Sequence, residues 1–327
     1  MRDLIEYSGS LISNDNLIVA PYDYQKKNYG NIIRLNNDYI KNWNLNEFSI
    51  DYSEVDELNV VNGMGVTLGD SIVGISVLAA IKEKNPNIKI RVIRPETAPS
   101  YVEELYKLGV PVIDELHYMP FNINELSSES LNIDVGNQLY SPYFHIMEMH
   151  DYFIQALGLK RNDVNQDELT NKWLNKIDYG APIFENYTLF TPLASTKIRS
   201  ISSIFYYDIV EKLSNRDGKR VLGFVDVNHE NYLNISKRIT NTKEFISVIK
   251  NASNIYTCDS SALHIAAGFN VPTECVFNTI PPKLRMKYYS NSKSIYVGNQ
   301  MLEKIQSSDD LKFIKLVEDN FRGYLYG

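Results

Sequence analysis

Cysteine is nearly missing from this chain: Cys258 and Cys275 are the whole supply in 327 residues. No CxxC pair occurs, so neither a zinc nor an iron–sulfur ligand set is suggested. Each thiol lies in an apolar, strand-like run, the setting of a small core residue. Long apolar runs are missing too. None approaches the roughly 18 residues of a membrane span, and the opening MRDLIEYSGS has no apolar signal core. The expectation is a soluble, cytoplasmic protein, with work at the inner face of a membrane left open. Basic charge is short: 33 Lys and Arg stand against 40 Asp and Glu, a net charge of −7. Nucleic-acid backbones need clustered Lys and Arg, so nucleic acid is not an expected partner unless a local basic groove forms.

What is present is ordinary globular stock, 44% hydrophobic and 22% charged, in a chain long enough for two cores. Strand-like and helix-like segments alternate, which argues an α/β fold with parallel sheets. In the first half the pattern predicts strands at Leu58–Asn62, Ile88–Ile93, Val110–Ile113 and Leu131–Val135. It predicts helices at Asp70–Lys84, Ser100–Leu108 and Met147–Leu157. Residues 160–185 are polar and punctuated by Asn162, Asp167 and Gly180-Ala181-Pro182, and the domain boundary is placed there. A second series predicts strands at Tyr187–Leu193, Val221–Val225, Asn254–Cys258 and Val271–Phe277. Its helices are Ile201–Leu213, Thr242–Ala252 with Thr242 as N-cap, Ser261–Phe269, and a closing one at Asp309–Tyr324. In the first 57 residues only Leu17–Ala20 reads as a strand.

The stretch NVVNGMGVTLGDSIVG, residues 59–74, joins an apolar strand to a helix through Gly63, Gly65 and Gly69. A dinucleotide fingerprint is G-x-G-x-x-G with an acidic residue ending the next strand. Here the spacing is one residue longer, and the next strand ends in Arg94 and Glu96, where Arg94 could meet a 2′-phosphate. An NADP-dependent oxidoreductase is therefore one alternative. The other centres on Asp70, set where the helix begins. It can cap the first turn, or act as a general base at the carboxyl end of a parallel strand. His145 and His150, with Glu148 and Asp151, have a spacing that could hold a metal. Met147, Met149, Tyr152 and Phe153 interleave them, and no metal is expected.

The second half carries the stronger pattern. In DSSALHIAAGFNVPTECVF, residues 259–277, a strand end meets a short helix of small residues. Ser260, Ser261 and the free amides of that helix form an anion site suited to a nucleotide diphosphate. This block resembles the D-S-G-x-x-H-x-A-A-x-x-x-x-P signature of the family-nine glycosyltransferases, the ADP-heptose:lipopolysaccharide heptosyltransferases and their relatives. GVTLGDSIVGISVLAAIKEKNPNIKIRVI resembles their N-terminal motif, and TPLASTKIRSISSIFYYDIVEKL the segment opening their C-terminal domain. The three blocks stand in the family's order across roughly residues 58 to 300. Departures are Ser261 in place of the signature glycine, Ile198 and Arg199 where Trp and Pro are usual, and the 57 residues before the first motif.

The resemblance implies a GT-B architecture, two Rossmann-like domains facing a cleft, and metal-independent, inverting sugar transfer. It implies an N-terminal extension over residues 1–57, an acceptor-side domain over 58–180, a donor domain over 181–307 and a closing helix over 308–327. No Asp-x-Asp motif is present to hold a diphosphate-bound metal, and no cofactor is expected beyond the nucleotide-sugar donor. By match, Asp70 is the general base. Ser195, Thr196 and Lys197 are the phosphate clamp, Ser260 and Ser261 bind the diphosphate, Asp259 contacts the donor sugar or orients the turn, and His264 contacts phosphate or braces the loop. Asp226 is the nucleoside-side candidate. Arg199 is either a second phosphate ligand or a surface replacement. His229 and Glu230 are expected in a surface loop; Lys283 and Arg285 could close over the donor, but solvated charges are the leading expectation for them. The acceptor would be a glycan, lipopolysaccharide, a protein or a modified base. A non-catalytic module that binds a sugar nucleotide is the remaining alternative.

Overall fold

The computed structural model describes residues 2–24, 26–27 and 29–327. The chain divides into two units, Met1–Lys176 and Ile177–Gly327.

The first unit runs α1 (Arg2–Ile5), β1 (Leu11–Ser13), β2 (Leu17–Val19), α2 (Pro21–Tyr24), β3 (Ile32–Arg34), β4 (Ile40–Lys41), β5 (Glu57–Val61) and α3 (Leu68–Lys84). It continues with β6 (Lys89–Arg94), α4 (Ser100–Leu108), β7 (Glu115–Tyr118), β8 (Phe121–Asn122), β9 (Leu131–Asp134) and α5 (Met149–Ala156). Its main sheet is parallel, in the order β4-β9-β5-β6-β7. Leu58, Val60 and Val61 on β5 are wholly buried, as a strand covered on both faces requires. Helix α3 is buried continuously from Ser71 to Ala79, so it has no polar face over that length. The segment before Lys176 covers it: Trp173 Nε1 donates to the Ile72 carbonyl at 3.1 Å, and the Ser76 hydroxyl to the Glu168 carbonyl at 2.5 Å.

The first 57 residues form more structure than their pattern announces. An antiparallel sheet, β3-β1-β2-β8, stands beside the parallel one, and β4 pairs with β9. Asp134 fastens this segment. Its carboxylate accepts from Ser10 N at 2.7 Å, Ser10 Oγ at 2.7 Å and Asn42 Nδ2 at 3.0 Å. Burial pushes its pKa up despite those bonds. The strand expected at Val110–Ile113 is instead a turn, with Val112 N and Ile113 N both donating to the Gly109 carbonyl. Pro111 has no N–H for a ladder, and the strand forms later, at Glu115.

The second unit comprises β10 (Tyr187–Thr191), α6 (Tyr206–Asp217), β11 (Arg220–Gly223), β12 (Tyr232–Asn234), α7 (Thr242–Lys250), β13 (Asn254–Cys258), α8 (Ser261–Gly268), β14 (Thr273–Phe277), β15 (Ser292–Tyr296) and α9 (Leu311–Tyr326). All its strands are parallel, ordered β12-β11-β10-β13-β14-β15. Numbered from β10 this is 3-2-1-4-5-6, the doubly wound order of nucleotide-binding sheets. Both cysteines are buried in it, and burial drives the Cys258 thiol to about 12.

Two expectations are corrected in this unit. Helix α6 starts at Tyr206, not Ile201, because Ile201 N is held by the Pro192 carbonyl and Asn278 Nδ2 binds the Ser200 carbonyl. These bonds tie the segment to the residues that follow β10 and β14. The cap of α7 is Asn241, whose Oδ1 accepts from Glu244 N at 2.9 Å. The Glu244 carboxylate in turn accepts from Thr240 N at 2.7 Å, and Thr242 is the first helical residue.

Candidate functional site

In the second unit the direction of winding reverses between β10 and β13. Open α/β sheets take their ligands outside the carboxyl ends of the strands at such a point. Two candidate stretches leave the sheet there: Ser195, Thr196 and Lys197 after β10, and Asp259, Ser260 and Ser261 after β13. The strand ends are laced together. Thr191 Oγ1 donates to Thr257 Oγ1 at 2.8 Å, Thr257 Oγ1 and Ser260 Oγ are hydrogen-bonded at 3.2 Å, and Cys258 Sγ donates to the Pro192 carbonyl at 3.2 Å.

Arg199 joins the two stretches. Its Nη1 donates to Asp259 Oδ2 at 3.1 Å, its Nε to Thr196 Oγ1 at 3.2 Å, and its Nη2 to Ser195 Oγ. It is thus no surface replacement. Asp259 is 2% exposed. Burial by itself would raise its pKa, yet Arg199, Arg285 and His264 hold it below the ordinary 3.8. One carboxylate therefore faces two guanidinium groups and an imidazole. Arg285, expected in solvent, is also 2% exposed and donates through Nη1 to the Leu284 carbonyl. His264 is buried on α8, its Nδ1 hydrogen-bonded with the Tyr289 hydroxyl at 2.7 Å. Ser260 takes the N-cap position of α8, and its side chain makes no cap bond to that positive helix end.

The other candidates are placed as follows. Lys197 is exposed, in a short 3₁₀ turn. Asp226 is exposed beyond β11 and accepts from Asn234 Nδ2 at 2.6 Å. Lys283 and Glu230 lie in solvent, whereas His229 closes its own loop by accepting from Asn231 N at 3.1 Å.

In the first unit Asp70 is not the cap of α3. Thr67 is, and Asp70 is the third helical residue, accepting from Thr67 Oγ1 at 2.7 Å. Gly65 has φ +75°, and a Cβ there would fall 2.8 Å from Asp70 Cβ. A Cβ on Gly63 would fall 2.8 Å from Val60 Cγ1. Gly69 lies inside the helix, at its second residue. Arg94 is wholly buried, its guanidinium 3.8 Å from the centre of the Tyr106 ring. His150 is a core residue, hydrogen-bonded at 3.0 Å to Glu148 Oε1 and 3.2 Å to Asn171 Oδ1. His145 is bonded to the Leu139 carbonyl. No group of three or more His, Cys, Asp or Glu among the described residues is placed to hold a metal ion.

Sequence reasoning left Arg199 undecided and placed Arg285 in solvent. The available signal was an arginine close to each of two signature blocks. Tyr289 carried no signal.

No family model and no curated protein sequence matches this chain. Solved structures do. ADP-heptose lipopolysaccharide heptosyltransferase II of E. coli is 14% identical, with 82% of this chain and 98% of that one covered, at a TM-score of 0.52. A family 9 glycosyl transferase from Veillonella parvula is 12% identical, covering 86% and 99%, also at 0.52. The dodecameric, iron-containing heptosyltransferase TibC, solved with ADP-D-beta-D-heptose, is 12% identical, covering 86% and 77%, again at 0.52. At such identities the likeness is one of fold. The chain has the α/β GT-B fold of the family-nine glycosyltransferases, the family to which its three sequence blocks point.

Proposed function

We propose that this protein is an inverting glycosyltransferase that uses a nucleotide-diphosphate sugar, ADP-heptose or a similar donor, without a metal ion. The observation that carries the proposal is the gathering of Arg199, Arg285 and His264 around buried Asp259, at the switch point of a doubly wound sheet and at the start of α8. The second unit takes the donor. Its diphosphate lies against α8, with Ser260, Ser261, Arg199, Arg285, His264 and Lys197 meeting its charge. Asp226 serves the nucleoside. The first unit takes the acceptor, a hydroxyl of a glycan, lipopolysaccharide, protein or modified base. Asp70 removes the hydroxyl proton as the oxygen attacks the anomeric carbon, and the bond from that carbon to the diphosphate oxygen breaks on the opposite face. The departing negative charge falls on groups already oriented to receive it, and they supply the stabilisation that a bound cation would otherwise give.

Thermal shift tests the donor half. One nucleoside diphosphate among ADP, UDP, GDP, CDP and TDP should raise the melting temperature by mass action, equally with and without EDTA. Arg285→Ala should abolish that rise. Asp70→Asn tests the chemistry: transfer should fall by about 10²–10⁴ while the nucleotide shift stays. Stabilisation by NADPH alone would sink the proposal. Nucleotide binding with wild-type transfer in the Asp70→Asn protein would remove Asp70 from its role.

A further inference from the structure

Arg199 owes its place to a residue far along the chain. Its backbone lies in a 3₁₀ turn, Lys197–Arg199, of three residues, too short to hold itself in position. Two contacts fix the turn from outside. The Ile198 side chain is wholly buried and packs with Leu302 and Val317. Asn278, the first residue after β14, donates through Nδ2 to the Ile198 carbonyl at 3.0 Å and to the Ser200 carbonyl at 2.9 Å. One amide nitrogen thus holds the carbonyls on both sides of Arg199. Strand β13 stands between β10 and β14 in the sheet, so these bonds join segments that leave non-adjacent strands.

Asn278 is 2% exposed, and its Oδ1 has no partner among the described residues. The nitrogen bonds therefore set the amide: turned over, it would put oxygen against two carbonyl oxygens. A buried carbonyl left without a donor costs more than a made bond contributes, so the turn is held at both carbonyls. Arg199 then directs its side chain to Asp259, Thr196 and Ser195. Thr196 Oγ1 donates to the Gln306 carbonyl at 3.0 Å, which leaves its lone pairs for Arg199 Nε. A guanidinium has five N–H groups. These partners take three. The two that remain are one on each terminal nitrogen, and the side chain is 17% exposed.

We infer that Asn278 is a positioning residue, which fixes Arg199 so that its two remaining N–H groups meet the diphosphate of the donor. That ligand rests on the function proposed above; the positioning does not. The arrangement also accounts for both departures from the signature in STKIRS. Ile198 anchors the turn, and Arg199 uses it.

Two measurements on the full-length protein separate the positioning from the ligand. The first is the NMR resonance of the Arg199 Nε–H, identified by its loss in Arg199→Gln. Its exchange with water should be at least ten-fold faster in Asn278→Ala than in the wild-type protein. The second is affinity for ADP and for inorganic pyrophosphate, by calorimetry. Asn278→Ala should weaken both at least ten-fold. Combined with Arg199→Gln, it should bind no more weakly than Arg199→Gln by itself, because it acts through that arginine. Asn278→Asp matches the amide in shape but presents oxygen to both carbonyls. It should repeat these effects, and it keeps the test if Asn278→Ala does not fold. Unchanged Nε–H exchange in both variants would overturn the positioning role. Additive losses of affinity would overturn it too, since Asn278 would then reach the ligand by another route. Faster exchange with wild-type affinity would remove Arg199 from the diphosphate. Faster exchange in the variants, with neither ADP nor pyrophosphate bound by the wild-type protein, would keep the positioning role and sink the donor assignment.

Discussion

The Asp259 carboxyl is held below its ordinary range although burial pushes it up. Desolvation is the largest influence on its carboxyl, and it is outweighed by Arg199, Arg285 and His264 together. A carboxylate whose folded pKa lies below its unfolded value stabilises the fold at neutral pH, and that contribution is lost as pH falls through the folded value. Removing a cation raises the folded pKa. Arg199→Gln should therefore move the onset of acid unfolding to higher pH, in the region below 3.8 where Asp259 gains its proton. Circular dichroism across an acid titration reads this directly, and an unchanged acid midpoint would show that Arg199 does not hold the carboxylate. His264 and Asp259 were both legible as signature residues. Their environment was not, because Arg199 and Asp259 lie 60 positions apart in the chain.

At the scale of elements, caps and turns decide what the hydrophobic pattern cannot. Asn241 closes α7 by a side-chain bond to Glu244 N. Its replacement by Ala should cost about 1 kcal/mol, read as a lowered urea midpoint at unchanged slope; no loss would mean that Glu244 alone suffices. The Gly63–Gly65 turn is under tighter control. Gly65→Ala forces a side chain into left-handed backbone, costing roughly 1–3 kcal/mol, and pushes on Asp70. Transfer should fall more than ten-fold while the nucleotide shift persists; full transfer at a reduced melting temperature would separate the turn from Asp70. Elements with a strong local signal were readable: Ser100–Leu108 and Asn254–Cys258 form as their pattern predicts. The short strands β12 and β15 were not. YLN and SKSIY lie at the two margins of the sheet and are only partly buried, so neither alternation nor an apolar run marks them.

At the scale of the whole molecule, each unit owns a core. In the second, Phe190, Val210, Val221, Cys258 and Val276 cluster with Phe321 of the closing helix. A fragment of residues 177–327 should fold alone, melt cooperatively and keep the nucleoside-diphosphate shift. A fragment without a cooperative melt would show that this core is not sufficient by itself. No helix among the described residues is long and apolar enough to cross a membrane.

What the sequence determined by itself was everything carried by near neighbours. This covers the alternation of strand and helix, the glycine turn before Asp70, the D-S-S-x-x-H helix start, and from their order the fold class. Local periodicity and turn chemistry need no knowledge of distant partners. Only the tertiary structure decided which charges meet. It turned Arg199 inward to Asp259, buried Arg285 near the same carboxylate, and stacked Arg94 on the Tyr106 ring. Ion pairing and desolvation depend on distance and burial in space, and neither is written along the chain.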